Sequence, residues 1–280
     1  MRWQIGDVSI TRIVEVTSSS LGAHILPQAT PDLIAEIPWI RPFVDKRNAL
    51  VMSFHSFLIE TRETRLLVDT CIGNDKNLNY PKWNQMKSSF LSDLESLDVS
   101  PAQIEAVLCT HMHVDHVGWN TRLVDGKWVP TFPNARYLYA RDEWDHWQHD
   151  EDDSYGAVIE ESVQPIFDQG LAHLVESNCE VTDEISLFPT PGHTPGHVSV
   201  KIDSRGEEAV ITGDIFHHPC QMTHEDWCAT ADLDESRALA TRSKFLRQFA
   251  DRPVLVLGTH FAGPTAGRIV SDKDAFRLDY

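Results

Sequence analysis

Residues 110–116 read Thr-His-Met-His-Val-Asp-His and place four candidate metal ligands within six residues, directly after an apolar run typical of a strand. On an extended segment His111 and His113 face the same way, because side chains two apart share one side of a strand. Asp115 and His116 come where the chain would turn into a helix, so they can serve a second position nearby. Imidazole and carboxylate groups together suit zinc, iron or manganese. A histidine-rich surface loop is the simpler alternative.

Three later segments repeat this pattern of an apolar run followed by a ligand-type residue. Residues 189–197 contain two Pro-Gly-His units, which cannot continue a regular element and therefore predict a tight loop that fixes His193 on rigid backbone. Asp214 follows Gly213 after one apolar run, and His260 follows Gly258-Thr259 after another. If the ends of these strands converge on one edge, their side chains form a single metal site.

Asp69 closes another predicted strand, residues 65–69. An acidic side chain at the end of a buried strand is costly unless it is paired. A ligand histidine is a suitable partner, because histidines that bind metals usually donate their second ring N–H to a carboxylate or carbonyl. The sequence therefore favours a supporting role for Asp69 beside a ligand, and a turn-forming aspartate is the alternative.

Alternation of strands and helices predicts an α/β fold. Strands are predicted over residues 3–16, 49–60, 65–69, 105–110, 136–140, 171–175, 180–188, 198–203, 208–212 and 253–257. Helices are predicted over residues 84–98, 141–169 and 232–250, and Asp125-Gly126 predicts a hairpin or a loop within residues 119–135. No repeat or linker indicates a second domain, so a single domain over residues 1–280 is expected.

Residues 17–50 differ from the rest in having several prolines among bulky apolar residues. This composition predicts a long excursion with one short helix. Such an excursion is often a lid or an arm that contacts a second subunit, which makes a homodimer possible. A loop packed on its own domain is an equally good interpretation.

The composition limits the class of partner. The formal net charge of −18 and the pI near 5.1 argue against nucleic acid and against anionic membranes, since both need a basic surface. The five cysteines are odd in number and form no C-x-x-C pair, which disfavours a disulfide framework or a cysteine zinc site. The N-terminus has no apolar signal core, and no run of about 18 apolar residues occurs, so a cytoplasmic location is expected.

Taken together, the motifs resemble the metallo-β-lactamase superfamily over about residues 50–265. The matching segments are His-x-His-x-Asp-His at 111–116, Pro-Gly-His-Thr-x-Gly-His at 191–197, Gly-Asp at 213–214 and the late His260. The resemblance implies an αββα sandwich of two mixed β-sheets flanked by helices. It also implies two divalent ions, zinc first, with manganese, cobalt and iron as alternatives. The implied ligands are His111, His113 and His193 for one ion, Asp115, His116 and His260 for the other, and Asp214 for both, with Asp69, Thr110 and His197 in supporting positions.

Within that superfamily the sequence looks nearest to the acyl-homoserine lactonase and methyl parathion hydrolase group. Dizinc β-lactamases have a cysteine where Asp214 stands, so β-lactam hydrolysis is not expected. The lactonases of the group have a tyrosine three residues after the bridging aspartate, near the substrate carbonyl, and here that position is His217. The difference makes His217 a candidate substrate contact, with a purely structural histidine as the alternative.

The resemblance implies a dinuclear metal-dependent hydrolase of lactone, ester or phosphotriester type. A hydroxide that bridges the two ions is expected to attack a small, apolar substrate, with Asp115 accepting a proton and His217 donating one. Alternatives are an iron-dependent persulfide dioxygenase with one metal, a thioester hydrolase like glyoxalase II, and a non-catalytic metal-binding scaffold. Candidate walls of an apolar pocket, each of which could instead be a core or dimer contact, are Trp39, Phe43, Trp83, Trp119 and Phe261.

Overall fold

The computed structural model describes residues 1–149 and 154–280 of the chain. These residues form two compact units. Unit 1 comprises Met1–Val16 and Phe54–Ser177, and unit 2 comprises Thr17–Ser53 and Asn178–Tyr280. No helix in the part of the chain that the structure describes is long and apolar enough to span a bilayer.

Each unit is built on one mixed β-sheet. In the described residues the strands are β1 (Arg2–Ile5), β2 (Val8–Ser18), β3 (Met52–Glu60), β4 (Arg65–Val68), β5 (Ala106–Leu108), β6 (Thr121–Val124), β7 (Lys127–Pro130), β8 (Arg136–Ala140), β9 (Ala172–Val175), β10 (Ile185–Pro189), β11 (Val198–Ser204), β12 (Glu207–Ile211), β13 (Val254–Leu257), β14 (Ala266–Asp272) and β15 (Ala275–Asp279). The α-helices there are α1 (Gly22–Ile25), α2 (Pro31–Ala35), α3 (Phe90–Glu95), α4 (Val114–Val117), α5 (Arg141–Trp147), α6 (Gln164–Asp168), α7 (Cys220–Thr223) and α8 (Glu235–Phe249).

The seven-stranded sheet of unit 1 has the order β1-β2-β3-β4-β5-β8-β9. Strands β4, β5, β8 and β9 run parallel to one another, and this requires crossover connections such as the one that contains α3. Side chains of α3 (Phe90 and Leu94) share one buried core with Leu67, Val107 and Tyr137 of three of these strands. The parallel strands therefore end together at one edge of the sheet, and β4 and β5 deliver residues 69 and 109–113 there.

The predicted hairpin around Asp125-Gly126 is confirmed. Strands β6 and β7 pair in antiparallel fashion as a separate two-stranded sheet. Asp125 and Gly126 have φ of 49° and 74°, the left-handed values that a two-residue hairpin turn of this kind requires at both positions.

The six-stranded sheet of unit 2 has the order β10-β11-β12-β13-β14-β15. Only β12 and β13 pair in parallel, and α8 lies between them in the chain. Phe245 and Leu246 on one face of α8 pack in a core with Val210 and Val256 of these two strands. Strands β14 and β15, which pair as an antiparallel hairpin, were not predicted.

Residues 17–50 contain more regular structure than the single predicted short helix. They form α1, α2 and a 3₁₀ turn at Arg41–Phe43. Ile34, Ile40 and Phe43 are fully or almost fully buried in the core of unit 2, so this segment packs on its own unit. The lid or dimer-arm role stays a prediction.

Two predicted helices are shorter than expected. Residues 84–98 are helical only over Phe90–Glu95, and Gln85 has a φ of 53°, which a right-handed helix cannot accommodate. The prediction over 141–169 includes residues 150–153, which lie outside the described residues. In the rest of that range α5 ends at Trp147, and a π-helical turn at Ile159–Val163 leads into α6. Gly156, with φ of 98°, separates the two parts.

Candidate metal centre

In unit 1 the four residues of the His-x-His-x-Asp-His motif lie close together. His111 and His116 are fully buried, and their ring centroids are 3.9 Å apart. The Nε2 atom of His111 is 3.1 Å from Nδ1 of His113, and Nε2 of His116 is 3.8 Å from Oδ2 of Asp115. The chain passes directly from β5 into α4, whose first turn carries Asp115 and His116. This short connection brings the side chains together as the motif predicts.

Asp69 supports this cluster through three hydrogen bonds. Its carboxylate accepts from the backbone N–H of Thr110 at 2.7 Å, from the Thr110 hydroxyl at 3.0 Å and from Nδ1 of His116 at 2.9 Å. The Thr110 hydroxyl is also 3.1 Å from Nδ1 of His111. Because Nδ1 of His116 is held by the carboxylate, Nε2 is the nitrogen that can bind a metal.

A second, half-buried carboxylate holds the loop that follows Asp69. Glu15 accepts hydrogen bonds from the backbone N–H of Ile72 at 2.7 Å, the Ser88 hydroxyl at 2.7 Å and the Trp119 indole at 2.6 Å. Burial raises the pKa of Glu15, and these hydrogen bonds oppose that increase. The sequence alone did not single out Glu15, since an acidic residue in an alternating strand usually faces solvent.

In unit 2 one buried carboxylate lies among three imidazoles. Oδ2 of Asp214 is 3.1 Å from Nε2 of His260, 3.3 Å from Nε2 of His217 and 3.6 Å from Nε2 of His193. All four side chains are buried, and ligand atoms of His193, Asp214 and His217 lie within 4.8 Å of one another. Nitrogen and carboxylate oxygen atoms at this spacing fit a divalent cation.

His193 is held by a residue that the sequence analysis missed. Its Nδ1 lies 2.9 Å from Oδ1 of Asp232. Burial of Asp232 favours a higher pKa, but the hydrogen bond with His193 and the charge of Arg242 prevail and lower it to about 2. Asp232 is therefore an ionised, buried partner of a candidate metal ligand. An aspartate at the first position of the predicted helix 232–250 gives no sequence signal of this role.

His197 contacts the backbone of Asp214 instead of acting as a ligand. Its Nε2 accepts a hydrogen bond from the Asp214 N–H at 2.8 Å, and its Nδ1 is 2.9 Å from the Thr190 hydroxyl. Gly213 lies against this ring, and a Cβ atom at that position would come within 2.5 Å of Nε2. The second histidine of the Pro-Gly-His loop and the glycine before Asp214 therefore fit together.

His260 is oriented by the backbone of its own unit. Its Nδ1 is 3.1 Å from the carbonyl oxygen of Ser53, and its carbonyl accepts from the Ser53 N–H at 3.0 Å. This arrangement directs Nε2 toward Asp214, as the 3.1 Å separation shows.

His217 is buried, and its two ring nitrogens have different surroundings. Nε2 faces Asp214, whereas Nδ1 has no hydrogen-bond partner among the residues that the structure describes. Burial lowers the pKa of His217, although Asp214 opposes the change. A neutral imidazole with one unsatisfied polar atom is suited to contact a ligand. The adjacent His218 has a structural role, because its Nε2 lies 2.8 Å from the Phe43 carbonyl oxygen.

The predicted pocket aromatics are mostly core residues. Phe43 and Phe261 are fully buried in unit 2, with ring centroids 6.4 Å apart, and Trp39 packs on Phe43 at 6.5 Å. In unit 1 Trp119 is 3% exposed and Trp83 is 9% exposed. Their surfaces are used largely in packing within the units.

Two other aromatic residues lie beside a candidate ligand. The rings of Trp147 and Tyr155 have centroids 5.4 Å and 5.7 Å from that of His113. Glu143 accepts a hydrogen bond from the Trp147 indole at 2.6 Å and another from the Met112 N–H at 3.0 Å, so α5 is joined to the ligand loop. Trp147 was predicted only as part of the helix over residues 141–169.

Comparison with known proteins agrees with these motifs. The family model described as "Metallo-beta-lactamase superfamily" matches residues 54–260, which is more than half of the chain. An N-acyl homoserine lactonase of Bacillus thuringiensis is 25% identical over 218 residues, covering 72% of this chain and 79% of that protein. Another from Bacillus sp is 26% identical over 168 residues, and the match covers 55% of this chain and 60% of that relative, less than two thirds of its length.

Solved structures show the same fold. The dizinc quorum-quenching lactonase AidC, solved in complex with a product N-hexanoyl-L-homoserine, aligns with a TM-score of 0.81 at 21% identity, covering 99% of this chain and 96% of that one. The hydrolase AbOPH, described as belonging to the beta lactamase superfamily, aligns with a TM-score of 0.80 at 24% identity, covering 100% and 96%. The chain has two mixed sheets and flanking helices, and the family model spans all the candidate ligands from His111 to His260. This chain therefore belongs to the metallo-beta-lactamase superfamily.

Proposed function

We propose that this protein is a dinuclear zinc hydrolase that opens the ester bond of a lactone carrying an apolar acyl chain. The observation that carries the proposal is the placement of Asp214 among three buried imidazoles at 3.1–3.6 Å, a set of nitrogen and carboxylate oxygen donors that fits a divalent cation. The family pattern supplies the assignment of the ligands. One ion takes His111, His113 and His193, the other takes Asp115, His116 and His260, and Asp214 is shared.

The donor set is suited to zinc. Imidazole nitrogen and carboxylate oxygen are common zinc ligands, and none of the five cysteines is part of the set. Two such ions would polarise the scissile carbonyl and lower the pKa of a water molecule toward neutrality. The same ligands accept manganese, cobalt or iron, so the metal present depends on supply as well as on geometry.

The protein's own residues then have separate tasks. The Asp115 side chain is 13% exposed, so it can accept a proton from water and pass it to the leaving alkoxide. His217 stands where the lactonases that the sequence resembles have a tyrosine. Its Nε2 faces Asp214, so Nδ1 is the ring atom placed for a substrate contact. If Asp214 binds a cation, the single hydrogen of the uncharged ring can lie on Nδ1 and would be donated to the substrate carbonyl oxygen, where negative charge develops.

Trp147 and Tyr155 supply an apolar surface next to His113. Tyr155 is 39% exposed, and the hydrogen bond to Glu143 fixes the orientation of the Trp147 indole. Rigid aromatic surface beside a ligand suits an acyl chain better than a charged substrate group. The relatives named N-acyl homoserine lactonases make N-acyl homoserine lactones the first substrates to test.

The test combines metal analysis with a substrate panel. Protein purified without chelator is measured by inductively coupled plasma mass spectrometry and is assayed on N-acyl homoserine lactones, simple lactones, aryl esters, a thioester and a phosphotriester. We expect about two zinc ions per chain, as implied by the two ligand sets, with lactones as the best substrates. Asp214→Asn should lose metal and activity, whereas Asp203→Asn, a matched change at an exposed position of β11, should retain both.

Metal-loaded protein that hydrolyses none of these compounds would refute the proposal. A preference for the thioester or the phosphotriester would keep the hydrolase and overturn the lactone assignment. One iron per chain, with oxygen consumption on a persulfide, would replace the hydrolase with an oxidoreductase.

A further inference from the structure

Arg242 is a fully buried cation in the middle of α8, where a soluble protein usually has an apolar residue. Its neighbours on the buried face of this helix are apolar: Ala238, Phe245, Leu246 and Phe249. A buried charge is retained only when it is well paired and hydrogen-bonded. The partners of the Arg242 guanidinium therefore indicate its task.

Two of those partners contact or adjoin candidate ligands. Nη2 lies 3.4 Å from Oδ2 of Asp232, whose other oxygen holds His193 at 2.9 Å. Nε donates to the carbonyl oxygen of Ile215 at 2.8 Å, and Ile215 directly follows Asp214. One rigid guanidinium thus contacts the carboxylate that holds His193 and the backbone carbonyl next to Asp214.

The residues after Asp232 also form backbone hydrogen bonds with the His193 loop. The N–H of Leu233 donates to the His193 carbonyl at 3.0 Å, and the N–H of Asp234 donates to the Gly192 carbonyl at 3.0 Å. Gly192 packs so tightly on α8 that a Cβ atom there would lie 2.3 Å from the Ala238 nitrogen. The His193 loop is therefore seated against the first turn of α8, the same helix that carries Arg242.

We propose that Asp232 and Arg242 are a positioning pair that fixes His193 relative to Asp214 and thereby sets the affinity for the ion that His193 binds. The inference rests on the proposed function, because it takes His193 and Asp214 as ligands. The Asp232 carboxylate holds the His193 ring with Nδ1 as the donor, which makes Nε2 the metal-binding nitrogen and a stronger electron donor. Arg242 keeps that carboxylate in place while it holds the Asp214 turn through Ile215.

A purely structural role is the competing explanation. Arg242 also donates to the carbonyl oxygens of Trp227 at 2.8 Å and Glu225 at 3.3 Å, so it anchors a loop that binds no metal. If anchoring were its whole task, substitutions would lower the stability of the fold without changing the affinity for metal. The test must therefore measure the affinity for metal directly.

The experiment compares wild type with Asp232→Asn and Arg242→Lys, and uses Asp203→Asn as the matched control. Metal-free protein is titrated with zinc in competition with a chromophoric chelator, and the cobalt-substituted protein is examined by visible absorption. We expect Asp232→Asn to weaken one of the zinc sites by about 10- to 100-fold and to change the cobalt spectrum, since this is the usual effect of removing a partner from a ligand histidine. The second site and the control should be unchanged.

Arg242→Lys should weaken the same site, because a lysine ammonium cannot reach Asp232 and the Ile215 carbonyl with the fixed fork of a guanidinium. If this variant does not fold, Asp232→Asn still decides the question, since it nearly preserves the size of the side chain. Wild-type zinc affinity and an unchanged cobalt spectrum in Asp232→Asn would overturn the inference. Wild-type protein that binds no metal would overturn the proposed function itself, and the two failures are thus distinguishable.

Discussion

Lys76 gives a prediction whose size can be worked out from its surroundings. Its side chain is 1% exposed within unit 1, and the ammonium donates to the Thr121 hydroxyl at 2.6 Å and to the Glu161 carbonyl oxygen at 3.1 Å. The nitrogen also lies 3.7 Å from the centroid of the Trp128 ring. Lys76 therefore ties the loop after β4 to the β6-β7 hairpin and to the π-helical turn before α6. The perturbation is Lys76→Met, which keeps the length of the side chain and removes its charge.

Burial lowers the pKa of Lys76 from 10.5 to about 7, although the charges of Glu161 and Asp75 oppose the change. Between these two pH values the unfolded chain binds more protons than the folded one, so the free energy of unfolding must rise with pH. At about 1.4 kcal/mol for each tenfold change in an equilibrium constant, the contribution of this one group is about 5 kcal/mol over the whole window. Between pH 7 and pH 9.5 it is about 3 kcal/mol.

The assay is urea unfolding of metal-free protein, followed by tryptophan fluorescence at several pH values from 7 to 9.5. The free energy of unfolding of wild type minus that of Lys76→Met should increase with pH by about 3 kcal/mol, because only wild type gains from the neutral amine. Lys87→Met, the same change at an exposed lysine of unit 1, should show no such increase. A difference between wild type and Lys76→Met that stays constant across this range would refute the reasoning.

Three further predictions concern the candidate site and its supports. His217→Phe should lower kcat on the best lactone by about 10²- to 10³-fold with the zinc content unchanged, as steady-state kinetics and metal analysis would show; an undiminished kcat would remove His217 from the reaction. Asp69→Ala should lower the free energy of unfolding by about 3 kcal/mol or more, because Thr110 and His116 lose a buried acceptor, and a urea midpoint equal to that of wild type would contradict this. Gly118→Ala should give little folded protein, since its Cβ would lie 1.8 Å from the Ile72 carbonyl oxygen; wild-type yield and Tm would show that the loop can move aside.

The parts of the structure that the sequence predicts well are those set by neighbours in the chain. The hairpin at Asp125-Gly126 depends on two residues that accept positive φ, and it is confirmed. The motif at 111–116 depends on a strand that ends and a helix that begins within a few residues, and β5 and α4 have those bounds. Local geometry of this kind is encoded within a few residues, so residue types and spacing are sufficient evidence for it.

The helix predicted over 141–169 shows the limit of periodicity. Apolar residues recur at helical spacing on both sides of Gly156, but this glycine pairs with Leu78, and a Cβ atom there would lie 2.4 Å from the Asn77 carbonyl oxygen. The close approach of a distant loop, not the local pattern, decides the conformation of Gly156. A contact between segments far apart in the chain cannot be predicted from the local pattern of one segment, because that pattern does not show which other segment packs against it.

Arg242 and Asp232 were missed for different reasons. Arg242 did leave a signal, because it falls on the apolar stripe of the predicted helix 232–250, four residues after Ala238 and three before Phe245. A charge on that stripe indicates a buried partner, although the pattern does not name it. Asp232 left no signal at all, since its contact with His193 joins residues 39 apart in the chain.

The supports of the candidate ligands explain why so many polar groups are buried in this fold. Each unit pairs one imidazole with a carboxylate and another with an uncharged oxygen: His116 with Asp69 and His111 with Thr110 in unit 1, and His193 with Asp232 and His260 with the Ser53 carbonyl in unit 2. These contacts hold Nδ1 of each ring. The folded chain therefore fixes the orientation of the imidazoles before any metal binds. Buried carboxylates and imidazoles destabilise a core unless they are hydrogen-bonded or bind an ion. Departures from an apolar core of this kind are expected at a functional site, and both units contain them at the candidate ligands. A ring held through Nδ1 in this way is typical of a histidine that binds a metal through Nε2, so these contacts support metal binding.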